Sequence, residues 1–352
     1  MKYEPALDGL RAIAVTSVII YHAHTSLLPG GWAGVDIFFV LSGFLISALL
    51  LQEVTISDTI NLRKFYTRRA LRLMPALAFL VAVLLPVAWF SRHYRVQDFD
   101  AIIMSLTYLM NWNRAFGWFP GDGGFLGHTW SLAIEEQFYF IWPCTLLCLV
   151  RWRRTAPFVI FGLIVIVFSW RTFLVYSGAG AERTYMGFDV HSDSLFMGCA
   201  IAFASLGSKI KLLATRLAII PIVVLALILL TFHFKSPLTQ SVGLSLAGLS
   251  SAWIMIAAIQ DGFLKKFLSI PPLVYTGRIS YGWYLWHYPI LAVAMHLLPK
   301  LYGIPLLVII SYLTAVMSYH FVERPFLKLK EKFEPKALTI YQTAALGSGL
   351  SD

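Results

Sequence analysis

Charge is scarce in this chain: only 13% of its 352 residues are Asp, Glu, Lys or Arg, against 58% hydrophobic. A soluble domain normally carries about twice that share of charge, so an aqueous globular protein is excluded. The mean hydropathy of +0.72 points the same way. Cysteine is nearly absent: Cys144, Cys148 and Cys199 all fall within apolar runs, which excludes a disulfide framework and suggests small core residues. Acidic residues are few as well, leaving a formal net charge of +10. Nucleic acid is not implied, because the basic residues sit in short loops between apolar runs rather than along one polar face.

What is present is a succession of apolar stretches. A spanning helix needs about 20 mostly apolar residues, and about ten candidates are centred near Ile19, Leu41, Val81, Ile141, Val165, Leu195, Leu225, Leu249, Leu285 and Ile310. The expected fold is an all-α, polytopic transmembrane helix bundle. Lys and Arg concentrate in alternate loops, for example Arg63, Lys64, Arg68, Arg69 and Arg72, then Arg151, Arg153 and Arg154. By the positive-inside rule both termini are cytoplasmic. Residues 1–330 form the membrane domain; 331–352, charged and then small and polar, form a disordered cytoplasmic tail. Asp8 and Arg11 open the first run, which lacks a small-residue cleavage pattern and is expected to be a retained anchor.

Ionisable residues inside a bilayer are costly and mark functional sites by default. Arg11 and His22 are separated by eleven positions; at about 100° per residue they share one helix face, with His22 about 16 Å deeper. A short turn at Pro29, Gly30 and Gly31 makes the first two spans a hairpin. Asp36 should then lie at the depth of His22, where a carboxylate would fix the ring tautomer of a general base. Ser42 and Gly43 lie deeper, in a patch small enough for a ligand or backbone to approach.

Further along, Arg69 and Arg72 stand three apart at a helix start, an arrangement suited to phosphates as much as to topology. His128 and Glu135 share a face and Glu136 points further round; such carboxylates need partners or water, or serve to orient helices. Arg278 near the inner boundary reads as a snorkelling anchor or a ligand contact. His287 sits near mid-depth, and Glu323 at the inner boundary is a salt-bridge residue or part of a site. No internal repeat is visible.

Together, LDGLRAIAV with the Arg-x10-His spacing to His22, GVDIFFVLSGFLI, RRALRLMPA, HTWSLAIEEQFYFIWP, RISYGWYLWHYP and VERPF, in this order, resemble the membrane acyltransferase family 3. The resemblance runs from about residue 7 to residue 329. It implies a bacterial inner-membrane enzyme that transfers an acyl group, acetyl above all, from acetyl-CoA to a hydroxyl of a surface polysaccharide, lipopolysaccharide, peptidoglycan or glycolipid. It makes Arg11 and His22 the first-span pair and Arg69 with Arg72 the Arg-x-x-Arg element. Fused members carry a hydrolase-like domain beyond the membrane part; none is recognised after Lys330, so transfer within the membrane domain is the simpler expectation. On this reading His22, Asp36 and Arg11 are catalytic. Arg69, Arg72, Ser42 and Arg278 bind the CoA donor, while His128, Glu135, Glu136, His287 and Glu323 support the carbohydrate substrate. No metal is expected. An acyl-histidine remains open, as do a transporter or flippase for a lipid-linked sugar and a membrane scaffold without chemistry.

Overall fold

The computed structural model describes residues 3–90, 95–204, 207–295 and 300–333, and among these every regular element is a helix. The expected tail is outside the described residues from 334 onward. α1 (Pro5–Ala23) begins with Pro5, where a missing N–H is harmless, and carries Asp8 in its first turn, favourably placed against the helix dipole. The turn at Gly30 and Gly31 returns the chain antiparallel as α2 (Gly34–Ser57). α2 stops at Asp58, whose left-handed φ of 55° lets its N–H close on the Val54 carbonyl. α3 (Leu62–Phe90) follows, then α4 (Arg95–Leu106), α5 (Met110–Phe116) and a 3-10 turn at Gly124–Thr129 that feeds α6 (Trp130–Arg151).

α7 (Ala156–Tyr176) is followed by two short pieces, α8 (Ala181–Met186) and α9 (Phe188–His191), before α10 (Asp193–Phe203). α11 (Ser208–Arg216) and α12 (Ile219–Thr231) bend by 52° at their junction. A π turn, Thr239–Gly243, opens α13 (Leu244–Ala258); α14 (Phe263–Leu268), α15 (Pro271–Arg278), α16 (Ser280–Met295) and α17 (Lys300–Ser318) come next. A second π turn, Tyr319–Glu323, leads into α18 (Arg324–Glu331).

Among the described residues seven helices are long and apolar enough to cross a membrane, or eight if the bent α11–α12 pair is one span. The protein is thus multi-pass, with fewer such helices than the sequence suggests. The difference has a local cause. α10 has 11 residues and rises about 16 Å, half of a hydrocarbon core of about 30 Å; the polar residues before it fold into α8 and α9 instead of extending it. The span expected near Leu285 lies in α16, whose described residues end at Met295. α7 and α12 turn Phe158, Phe161, Ile166, Ile219 and Leu230 outward, as lipid-facing helices do.

α1 lies at the centre, packed against α2, α15 and α16. α2 and α10 approach most closely through glycines on both sides. A Cβ on Gly43 would collide with the Leu195 carbonyl, and one on Gly198 with the Val40 carbonyl. This is the small-residue logic of membrane helix pairs, where backbone contact replaces the hydrophobic effect. Cys199 is buried at this seam, but Cys144 and Cys148 are exposed on α6, so only one of the three is a core residue. α7 is tied inward by Arg171, wholly buried, whose Nη1 and Nη2 each donate to the Asp193 carboxylate at 2.9 Å. Ser245 of α13 donates to the same carboxylate, so one ion pair fastens α7, α10 and α13.

Candidate functional site

Two adjacent cavities enter the bundle. The first, of about 310 Å³, is lined by Arg11 of α1, Ser42 of α2, Arg69 and Arg72 of α3, and Glu135 and Tyr139 of α6. The arginines reach it for a simple reason: each stands near the start of its helix, and α1 and α3 begin at the same end of the bundle. Arg11 is held by Asp8 at 2.9 Å. Arg69 lies over the Tyr139 ring, 4.9 Å from its centroid, an electrostatic contact that keeps a guanidinium in place without neutralising it. Ser42 donates to Glu135 at 2.6 Å, joining α2 to α6 across the cavity floor. A concentration of positive charge in one cavity suits a phosphate-bearing ligand.

The second cavity, about 200 Å³, is lined by His22, His128, Arg114 and Glu182 among the aromatic rings of Tyr21, Trp32, Trp130, Tyr185 and Tyr288. Val35 and Tyr284 belong to both walls, so the cavities meet there. In the second, hydrogen bonding fixes the state of His22. The Nδ1 of His287 is 2.5 Å from the Tyr284 carbonyl oxygen, which can only accept, so this nitrogen carries the proton. The Nε2 of a neutral His287 is then an acceptor. His22 Nδ1, 2.9 Å away, must donate to it. That leaves Nε2 of a neutral His22 as a bare lone pair, the state a general base requires. The two ring planes lie within 16° of each other, with centroids 5.1 Å apart.

Asp36 does not serve as the partner of His22. Its Oδ1 accepts from Ser194 at 2.7 Å and lies 3.1 Å from His191 Nε2. It is fully buried and lines neither cavity. Gly34 packs against Ala14, Ser17 and Val18 of α1, so Asp36 enters α2 below the level of His22, and it faces α9 and α10 while Val35 faces the cavities. His191, whose Nδ1 is 2.7 Å from the Tyr185 carbonyl, sits among Phe39, Trp130 and Tyr185. Asp36 thus belongs to the packing behind the cavity wall.

The other expected residues divide cleanly. Arg11, Ser42, Arg69, Arg72 and Glu135 meet in the first cavity; His22 and His128 meet in the second, with His287 behind His22. His128 lies in the 3-10 turn rather than inside α6, stacked on Tyr288 at 4.9 Å. Arg278 stands outside the first cavity, half exposed, donating to the Tyr3 hydroxyl at 3.0 Å. Glu136 and Glu323 line neither cavity; Glu323, at the end of its π turn, accepts from Ser318 just before that turn. Sequence reasoning missed Tyr284, Tyr139, Arg114 and Glu182. Tyr284 donates to the His128 carbonyl at 2.6 Å and also bonds Ser131, while its own carbonyl holds His287. An aromatic residue in a Trp- and Tyr-rich run carries no signal for such a role. Arg114 and Glu182 lie between the apolar runs, where a charge carries no signal of its own.

Comparison with known proteins bears on this arrangement. The family model described as an acyltransferase domain matches residues 4–319. The chain belongs to the membrane acyltransferase family 3. It is 35% identical, over 99% of its length, to the peptidoglycan O-acetyltransferase OatA of Listeria monocytogenes, of which the match covers 61%. It is 34% identical, over 93% of its length, to the O-acetyltransferase OatA of Staphylococcus aureus, covering 58% of that protein. The chain therefore spans only about three-fifths of these relatives. No solved structure matches it. The relatives are transferases by name, and the transporter reading finds no support among them.

Proposed function

We propose that this chain is a membrane O-acyltransferase that moves an acetyl group from acetyl-CoA to a hydroxyl of peptidoglycan or a related cell-surface polysaccharide. The observation that carries the reading is the meeting of an arginine-lined cavity with a histidine-lined one at Val35 and Tyr284. We place the start of α1, and with it the arginine cavity, at the cytoplasmic face of the bacterial inner membrane. The basic loop that opens α3 supports this orientation. The phosphates of the donor would lie on Arg69, Arg72 and Arg11, and its thin arm would run past Ser42 toward Tyr284. The relatives' names direct the choice of acceptor to peptidoglycan.

The chemistry follows from the bare Nε2 of His22. The acceptor hydroxyl gives its proton to that nitrogen while its oxygen attacks the thioester carbonyl. As the tetrahedral intermediate collapses, the C–S bond breaks and the departing thiolate takes the proton back from His22. The ring returns to its starting tautomer, and no net proton is gained or lost. His287 stays hydrogen-bonded to Nδ1 throughout and shares the transient positive charge. Holding both substrates at one junction turns a bimolecular encounter into an effectively unimolecular step.

The test uses purified protein, acetyl-labelled acetyl-CoA and a peptidoglycan saccharide. His22→Ala should bind acetyl-CoA normally and lose transfer by about 10²- to 10⁴-fold. Full activity in that variant removes His22 from the mechanism. Mass spectrometry of surface glycans from cells with and without the chain would identify both the acyl group and its acceptor.

A further inference from the structure

The histidine cavity carries more information than the position of one base. Its wall combines aromatic faces with polar groups that lack partners. Arg114 donates through Nη1 to the Asp122 carbonyl and through Nη2 to Glu182, at 2.7 Å in the second case. Its Nε is buried and makes no hydrogen bond. Neither ring nitrogen of the buried His128 is hydrogen-bonded to another side chain. Buried polar atoms are rarely left in this state, and here the side chains that bear them, Arg114 and His128, line one cavity of about 200 Å³. Aromatic walls with scattered, unsatisfied hydrogen-bonding groups suit a ligand that has apolar C–H faces and polar edges, which is the character of a pyranose ring. The volume lies below the ~300–1,000 Å³ typical of pockets for drug-sized ligands, so it admits one sugar ring rather than a length of polymer.

The charge balance narrows the choice. Arg114 is the cation of this cavity wall, and its charge is already matched by Glu182. Asp122, on the loop that Arg114 grips, adds a further carboxylate nearby. An acidic sugar would have to displace Glu182 or sit against uncompensated negative charge. A neutral ring needs neither, and the unpaired Nε–H of Arg114 and the His128 ring offer it hydrogen-bonding groups after a small side-chain adjustment.

We propose that the histidine cavity is the acceptor subsite, that it takes a single neutral pyranose, and that Arg114, kept charge-balanced by Glu182, hydrogen-bonds that ring and excludes acidic sugars. The inference rests on the acyl-transfer reading, but saccharide binding consumes no acetyl-CoA, so the two fail separately. The experiment is ligand-observed saturation-transfer NMR on the detergent-purified full chain, with chitotriose as neutral probe and trigalacturonate as acidic probe. Wild type should bind chitotriose and not trigalacturonate. Arg114→Ala should weaken chitotriose by about tenfold or more, as expected for losing a charge-assisted bond. Should that variant unfold, Glu182→Gln keeps the shape of the site and frees the guanidinium charge. It should then gain measurable trigalacturonate binding. Failure of wild type to bind chitotriose, equal binding of both probes, or a folded Glu182→Gln variant that still rejects trigalacturonate would each overturn the proposal.

Discussion

A single imidazole depends on a chain of hydrogen bonds to be useful. His22 presents a bare Nε2 because His287 accepts at its other nitrogen, and His287 can do so because the Tyr284 carbonyl holds its proton. Replacing His287 with Phe should therefore lower kcat markedly while the KM for acetyl-CoA changes little; steady-state kinetics would show the split. Asp36 makes the opposite case. Its bonds to His191 and Ser194 are structural, so Asp36→Ala should lower the thermal midpoint while turnover per folded molecule holds. A stable Asp36→Ala protein without turnover would return that carboxylate to the chemistry. Arg69→Ala or Arg72→Ala should raise the KM for acetyl-CoA by about 10- to 100-fold, the range expected for losing a hydrogen bond to a charged group. At this scale the sequence was readable where spacing along one helix decided the answer, as for Arg11 with His22. It was not readable where the answer depended on how one helix is rotated against another. The turn at Gly30 and Gly31 makes α1 and α2 neighbours but leaves the register and the azimuth of Asp36 free. The His22–His287 contact joins residues 265 positions apart and requires the axial register of α16.

Helix seams in this protein rest on backbone approach and on buried polar pairs such as Arg171 with Asp193. Gly43 and Gly198 let α2 and α10 touch through their carbonyls. Gly198→Val would force them apart, at a cost of about 1–3 kcal/mol or more, readable as a fall in thermal midpoint in detergent. Cutting one side of the Arg171–Asp193 pair should be worse. Asp193→Ala strands a buried guanidinium, and about 3–5 kcal/mol is the usual penalty. The double replacement Arg171→Met with Asp193→Leu should recover most of that loss, because a buried pair is dear to break and cheap to replace. Helix type was legible from hydropathy nearly everywhere. What hydropathy could not reveal is where an apolar run stops being a span: α10 is as apolar as its neighbours but is cut short by the polar stretch that becomes α8 and α9.

For the molecule as a whole, Tyr284 stands where the two chambers abut. Its hydroxyl reaches the turn that bears His128, its carbonyl reaches His287, and its ring borders both spaces. A shift of α16 caused by filling one chamber must then be felt in the other. By thermodynamic reciprocity any such influence runs equally in both directions. Desulfo-CoA, a non-reactive donor mimic, should change the affinity for saccharide, and saccharide should change the affinity for desulfo-CoA by the same factor. Tyr284→Leu should bring that factor toward unity. One phenol would then decide whether a guest in one chamber learns that its counterpart has arrived in the other.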